Sequence, residues 1–206
     1  LLLSLIKESG DTAYGRDHSF SQINNRDDFT RIHPLTDYEH YAAYVDRIYN
    51  GEENVMTKST PAMLAVTSGT SGQCKLMPTS NRLFQSFFVH GIAVLYHNMF
   101  NNFPSVAQLQ KDMKFFYTPR WRTSPGGLSI GPNSSTPKSS KNILSLYSTP
   151  PEAFDIVSEP EARYIHLLFG LYDRDLGMIE ANFCSLVYTA FQHLRSTWPQ
   201  IIRVIE

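Results

Sequence analysis

A polar stretch at residues 67–75 carries the clearest chemistry in this chain. It begins at Thr67, ends at Lys75, reads Thr-Ser-Gly-Thr-Ser-Gly-Gln-Cys-Lys and follows the apolar run 62–66. Glycines let a backbone turn and approach a ligand closely, and successive exposed N–H groups form a nest for anions. Hydroxyl groups add donors, and the Lys75 ammonium can place a point charge on a phosphate oxygen. The stretch therefore predicts a phosphate-binding loop.

Two familiar motifs do not fit this stretch. A Walker A loop would need a glycine at Cys74 and a hydroxyl residue at Leu76. A nucleophile elbow would need its second glycine one residue after Gly72. Two alternatives stay open, namely an ordinary turn without a ligand and a serine amidase that uses Ser68 or Ser71, for which no base is placed by spacing.

The stretch resembles the first nucleotide motif of the adenylate-forming enzymes, a superfamily that includes firefly luciferase and the acyl-CoA synthetases. It fits Ser/Thr-Ser/Gly-Gly-Ser/Thr-Ser/Thr-Gly-x-x-Lys at all seven defined positions. Further segments resemble the N-terminal part of the Gretchen Hagen family, the auxin-responsive acyl-acid amido synthetases of plants with relatives in animals and bacteria. These segments are residues 11–15, 34–39, 44–48, 76–79, 124–128 and 164–171. The loop has one residue fewer than is usual in plant members, so we expect an animal-like member.

This resemblance implies an ATP-dependent ligase that activates a carboxylic acid as an acyl-adenylate and joins it to an amine, usually of an amino acid. ATP and Mg²⁺ are the implied cofactors, and Lys75 is the implied catalytic residue. The nucleotide-binding residues that it implies are Thr67, Ser68, Gly69, Thr70, Ser71, Gly72 and Lys75. The two glycines among them shape the loop, and the hydroxyls and the ammonium contact phosphate.

The implied fold is α/β, with short strands that alternate with helices. Residues 1–206 would form part of the large N-terminal adenylation domain, without the smaller C-terminal domain of the family. The later motifs that hold adenine and ribose cannot be placed before Glu206, so we expect the fragment to be inactive alone. A non-catalytic binding or scaffold module that kept the fold is the alternative.

Composition limits the remaining possibilities. A net charge of −1 and a pI near 6.7 give no electrostatic support for binding nucleic acid. The distant Cys74 and Cys184 favour free thiols and a cytoplasmic location. The apolar N-terminal stretch 1–6 is too short to span a membrane. His90 and His97 lie seven residues apart without further ligands nearby, so we predict no metal site.

Several helices are predicted from periodicity and capping signals. Thr36 and Glu39 form a capping box for a helix whose Tyr38 and Tyr41 we assign to the core. A long helix from residue 80 to about residue 100 has a wide apolar side and should be largely buried. A further helix over 183–194 should end before a separate terminal piece at Trp198.

Two other segments carry weaker signals. Residues 119–141 are rich in Pro, Gly and Ser, which predicts a surface loop, although Arg120, Trp121 and Arg122 are candidates for a carboxylate site or a partner surface. Residues 154–157 follow a Pro-Pro break and could form a short strand.

Overall fold

The chain folds into two compact units of mixed helices and short strands. The computed structural model describes residues 1–67, 74–108, 111–118, 120–133 and 146–206. One unit comprises Leu1–Ser86 with Trp121–Asn133, and the other comprises Phe87–Arg120 with Ser134–Glu206. The predicted α/β class is confirmed. None of the described helices is both long enough and apolar enough to cross a lipid bilayer.

The first unit contains a four-stranded sheet with short helices. The helices are α1 (Leu2–Glu8), α2 (Ala13–Asp17), α3 (Arg26–Ile32), α4 (Tyr38–Tyr49) and α5 (Asn81–Phe87), with a 3₁₀ turn at Phe20–Gln22. The strands are β1 (Met63–Thr67), β2 (Lys75–Thr79), β4 (Arg122–Thr123) and β5 (Ser129–Pro132). Their order is β2-β1-β5-β4, with β1 antiparallel to β2 and parallel to β5. The strand that leads into the polar stretch is therefore central.

Strand β1 pairs with a strand on each side, and its first three residues are also buried. Its residues Met63, Leu64 and Ala65 are all buried, which is typical of a strand packed on both sides. Leu64 joins a core with Ile48 from α4 and Ile130 from β5. Packing against a helix and a neighbouring strand thus holds β1 in the middle of the sheet.

The second unit is built on a two-stranded parallel sheet. Its strands are β3 (Lys111–Lys114) and β6 (Leu176–Glu180), and its helices are α6 (Ala93–Asn102), α7 (Glu159–Tyr172) and α8 (Cys184–Ile205). A π turn at Phe88–Ile92 and 3₁₀ turns at Pro104–Ala107 and Pro151–Asp155 complete the described elements. The buried core residues are Met113, Phe115, Leu167, Ala190 and Ile201. Helices α7 and α8 therefore each pack an apolar stripe on the core residues of the two parallel strands.

The predicted capping box of α4 is wrong by one residue. Asp37, and not Thr36, caps the helix, because its carboxylate accepts a hydrogen bond from the His40 N–H at 3.3 Å. The Thr36 hydroxyl instead hydrogen-bonds with the Tyr41 hydroxyl at 2.6 Å. Both residue types are good N-caps, and here the Thr36 hydroxyl is engaged by Tyr41 of the same helix.

The predicted loop at 119–141 is also wrong in its described part. Strand β5 pairs with both β1 and β4, so this segment belongs to the central sheet. The turn between β4 and β5 is closed by hydrogen bonds between Ser124 and Leu128, including Leu128 N–H to Ser124 Oγ at 3.0 Å. The Pro and Gly signals mark a tight hairpin turn rather than a long loop.

The predicted burial of the helix after residue 80 is wrong. The segment is helical as expected, in α5, the π turn and α6, but none of its residues is buried. Phe87, Val89 and Leu95 are among its exposed apolar side chains. Periodicity shows which residues share a helix face, and it does not show whether another element covers that face.

Two predictions near the C-terminal end of the sequence are wrong as well. Phe154 lies buried in a 3₁₀ turn rather than in a strand, because Pro151 at the start of this turn suits a helical conformation. Helix α8 continues through Pro199 to Ile205 without a break. Ala190 and Ile201 are buried on either side of this proline, so packing stabilises the continuous helix despite the lost backbone hydrogen bond.

Candidate functional site

A β-hairpin brings the two ends of the polar stretch together. Thr67, the last residue of β1, pairs with Lys75, the first residue of β2. The Thr67 hydroxyl also points to the Lys75 carbonyl oxygen, at 3.5 Å. The predicted site residues Ser68, Gly69, Thr70, Ser71 and Gly72 lie outside the described residues. The structure thus fixes the two ends of the predicted phosphate loop.

The hairpin ends at the carboxyl edge of a parallel strand pair. Strands β1 and β5 run in the same direction, with Val66 opposite Pro132. The carboxyl ends of both strands therefore lie at one edge of the sheet, and Thr67 follows directly. Ligands of open α/β sheets commonly bind outside the carboxyl ends of the strands. This placement agrees with a binding site at the hairpin.

Lys75 is a half-buried cation at this edge. Its ammonium nitrogen lies 5.1 Å from the centroid of the Tyr38 ring, within the range of a cation–π contact. Within the parts of the chain that the structure describes, Lys75 forms no ion pair with a carboxylate. An ammonium group without a protein counter-ion is suited to meet an anionic ligand such as a phosphate.

Tyr38 is a contact of this site that sequence reasoning missed. Its hydroxyl donates to the Leu76 carbonyl oxygen and accepts from the Leu76 N–H, both at 3.1 Å. Tyr38 is the first residue of α4, directly after the capping Asp37. Its place in an apolar stripe suggested a core role. Periodicity assigns a residue to a helix face, but it does not show which groups the side-chain hydroxyl will bond to. The segment 34–39, which resembles the family, was the available signal.

The three residues predicted as a carboxylate site have separate surroundings. Arg120 is exposed, and Arg122 is exposed on the short strand β4. The Trp121 ring packs directly on Gly131, where an added Cβ would lie 2.4 Å from the ring. Trp121 is therefore a packing residue of the sheet. Neither Arg120 nor Arg122 forms an ion pair with a carboxylate within the described part of the chain.

The second unit contains a largely buried cluster of charged and polar side chains. The Lys114 ammonium pairs with a Glu180 carboxylate oxygen at 2.7 Å, and the Tyr147 hydroxyl lies 3.4 Å from each of them. The Tyr96 hydroxyl donates to one Asp112 carboxylate oxygen at 2.9 Å. The other Asp112 oxygen is buried without a hydrogen-bond partner among the described residues.

The Asp112 carboxyl is a weak acid as a result. Its pKa is raised to about 7, mainly by burial and then by the negative charge of Glu180, and the Tyr96 hydrogen bond and the Lys114 charge offset only part of this rise. Asp112 is only 3% exposed, so a diffusible substrate cannot reach it in this structure. We therefore assign this cluster to the interior of the fold and the hairpin to the binding site.

Comparison with known proteins agrees with the resemblance found in the sequence. Over 184 residues the chain is 27% identical to the 4-substituted benzoates–glutamate ligase GH3.12 of Arabidopsis thaliana, covering 84% of this chain and 32% of that enzyme. It is 30% identical over 189 residues to the probable indole-3-acetic acid-amido synthetase GH3.4 of Oryza sativa subsp. japonica, covering 86% of this chain and 30% of that protein. The chain thus spans about a third of the length of these relatives.

A solved structure shares the fold. The GH3.15 acyl acid amido synthetase superposes with a TM-score of 0.83 at 24% identity, covering 97% of this chain and 36% of that one. The model of the GH3 family N-terminal domain matches residues 1–206. Since that match includes every residue, the chain belongs to the GH3 family and corresponds to its N-terminal domain.

Proposed function

We propose that this chain is the phosphate-binding part of an ATP-dependent ligase that joins a small carboxylic acid to an amino acid. The observation that carries the proposal is the position of Lys75. Its ammonium has no carboxylate partner within the described residues and lies at the carboxyl edge of the β1–β5 pair, at the base of the polar stretch. Membership of the GH3 family supports the same reaction.

The proposed reaction has two steps. In the first, a carboxylate oxygen of the acid attacks the α-phosphorus of ATP, the bond to the β-phosphate oxygen breaks, and pyrophosphate leaves. In the second, the amino nitrogen attacks the acyl carbon, AMP leaves, and the nitrogen loses a proton to solvent. The acid is already ionised at neutral pH, so the first step requires no general base. It requires fixed donors and cations around the phosphate oxygens.

Lys75 supplies the cation that the structure describes. We assign Thr67, Ser68, Thr70 and Ser71 as hydroxyl donors to phosphate, and Gly69 and Gly72 as the residues that shape the loop. No described group of three His, Cys, Asp or Glu side chains could hold a metal ion. Mg²⁺, which the resemblance implies, would enter with ATP and would add positive charge at its phosphates.

The substrate class follows from the relatives. The two reported above are named for joining a benzoate to glutamate and for amidating indole-3-acetic acid. Both names share a small carboxylic acid and an amide product. We assign this class to the present protein, with residues 1–206 as part of a larger adenylation domain. Exposed, free Cys74 and Cys184 suit the reducing cytoplasm, where we place the reaction.

Substitution of Lys75 tests the proposal. In the full-length product of this gene, Lys75→Ala should slow carboxylate-dependent exchange of pyrophosphate into ATP by about 100-fold, the usual loss for one transition-state donor. The control is Lys58→Ala, which removes the same charge from an exposed site outside the hairpin. Unchanged exchange in the Lys75 variant would overturn the assignment. Absence of exchange in the unmodified protein would favour a non-catalytic binding module.

A further inference from the structure

Tyr38 ties helix α4 to the first residues of β2. Strand β2 lies at the edge of the described sheet, where outward backbone groups need partners other than a strand. The Tyr38 hydroxyl meets both outward groups of Leu76, as donor to the carbonyl oxygen and as acceptor from the N–H. One side chain thus replaces the missing neighbouring strand at this residue. The hydroxyl of Tyr38 therefore fixes the position of edge strand β2 at Leu76.

The same side chain also contacts Lys75, the residue before Leu76. The Lys75 ammonium lies over the Tyr38 ring, 5.1 Å from the ring centroid. Successive residues of a strand point to opposite faces, so a fixed Leu76 backbone also fixes the face on which the Lys75 side chain lies. The hydroxyl and the ring of Tyr38 therefore act together, on the backbone and on the side chain.

Helix α4 makes Tyr38 a firm support. The Asp37 cap begins the helix, and Val45 and Ile48 on the same helix are buried in the first unit. A functional side chain is held most accurately when its neighbours belong to rigid, packed elements. A lysine side chain has about four rotatable bonds and therefore many rotamers, so its ammonium needs such a support to stay in one position.

We propose that Tyr38 is the positioning residue of Lys75. Its hydroxyl holds the start of β2. Its ring holds the Lys75 ammonium at a position where this charge can pair with a nucleotide phosphate. The inference rests on the proposed function of Lys75 and adds a residue to it. Small displacements of a catalytic group lower rates steeply, so loss of this support should be visible in catalysis.

Kinetics of three tyrosine variants test the role in the full-length gene product. Tyr38→Leu removes the ring and the hydroxyl and should lower kcat/KM for ATP by about 10-fold or more. Tyr38→Phe keeps the ring but loses the hydroxyl that bonds to Leu76, and it should lower kcat/KM for ATP by about 3-fold, the size of one net hydrogen bond. The KM for ATP should rise in both while the KM for the carboxylic acid stays unchanged, whereas a general loss of structure would lower kcat and leave both KM values unchanged.

Tyr44→Phe is the matched control. It removes one hydroxyl from the same helix, where that hydroxyl donates to an Asp17 carboxylate oxygen at 2.9 Å and does not contact β2. We expect kcat/KM for ATP to stay at the value of the unmodified protein. If Tyr38→Leu fails to fold, Tyr38→Phe decides alone. If kcat/KM for ATP of Tyr38→Phe then equals that of Tyr44→Phe, the positioning role is overturned.

A second measurement separates this inference from the proposed function. Lysines labelled with ¹³C by reductive methylation give one NMR signal each, and Lys75→Arg identifies the signal of Lys75. A ring current from Tyr38 should shift this signal upfield, and Tyr38→Leu should abolish the shift while Tyr44→Phe keeps it. A Lys75 signal that does not depend on Tyr38 overturns the positioning role alone. A Tyr38-dependent signal that Mg²⁺ and ATP leave unmoved overturns the proposed function, and the positioning role with it.

Discussion

Lysines 75 and 114 show how surroundings decide the role of a residue. Both lie at the end of a strand and both contact a tyrosine ring, at 5.1 Å for Lys75 and 5.4 Å for Lys114. Lys114 also forms an ion pair with Glu180 at 2.7 Å and contacts Tyr147, so its charge is already compensated within the fold. Lys75 keeps its charge available for a ligand. The motif in the sequence predicts a ligand role for Lys75, and the coordinates explain why Lys114 is unsuitable for such a role.

Asp112 should make the stability of the second unit depend on pH. Its pKa is about 7 in the folded chain against an ordinary value of 3.8, so the folded state binds the proton more tightly. The stabilisation is complete below pH 3.8 and is lost as the pH rises towards 7 and above. The loss between these limits is on the order of 4 kcal/mol in the free energy of unfolding.

Asp112→Asn tests this effect, because an amide does not ionise. Relative to the parent, the variant should gain stability as the pH is raised from 5 to 8. Burial lowers the pKa of His166, which acts in the opposite direction, so the difference between variant and parent isolates Asp112. Urea unfolding followed by Trp198 fluorescence in a Trp121→Phe background reports on the second unit, with Asp46→Asn as an exposed control. A difference that does not change with pH would contradict the prediction.

At the scale of elements, the β4–β5 hairpin turn is locked to the end of α4. Gly126 donates its N–H to the Tyr49 carbonyl oxygen at 3.1 Å. A Cβ added at Gly126 would lie 2.3 Å from the Cα and N of Gly51, which itself has a φ of +95°. Two backbones touch here without side chains between them. This contact explains why glycines occur in both segments, 124–128 and the end of α4.

Gly126→Ala should therefore destabilise the first unit by about 2 kcal/mol or more, because the added methyl group meets rigid backbone. Gly127→Ala is the matched control: its φ of +86° is strained for alanine, but the space around it is open. We expect about 1 kcal/mol for that variant. Urea unfolding followed by Trp121 fluorescence in a Trp198→Phe background reports on this unit. Equal losses of unfolding free energy in the two variants would show that backbone conformation, and not the contact with Gly51, accounts for the destabilisation.

Element predictions succeeded where one local signal dominated. The apolar repeat from Tyr38 predicted helix α4, and the repeat after residue 80 predicted the helical segment that contains α5 and α6. Predictions failed where partners distant in sequence decide. Strand β5 is short and holds Gly131 and Pro132, and its partner β1 lies more than sixty residues earlier. Local propensity could not predict that pairing.

At the scale of the whole molecule, the described chain exposes many large apolar side chains. They include Phe87, Phe183, Tyr188, Trp198 and Val204. The chain also spans about a third of the length of its relatives. We therefore expect the 206-residue chain alone to show no carboxylate-dependent exchange of pyrophosphate into ATP. The assay uses radiolabelled pyrophosphate, a range of small carboxylic acids and the full-length gene product as the positive control. Exchange by the isolated chain would contradict the prediction.

The sequence by itself determined the class of the fold, the family and the polar stretch with Lys75 at its end, since these depend on residue types at fixed short spacings. The tertiary structure alone decided that Lys75 stands on an edge strand, that the Tyr38 hydroxyl holds that strand, and that Asp112 is buried beside Glu180. The physical reason is that the strength of a charge or a hydrogen bond depends on burial and on partners distant in sequence. Spacing along the chain records neither.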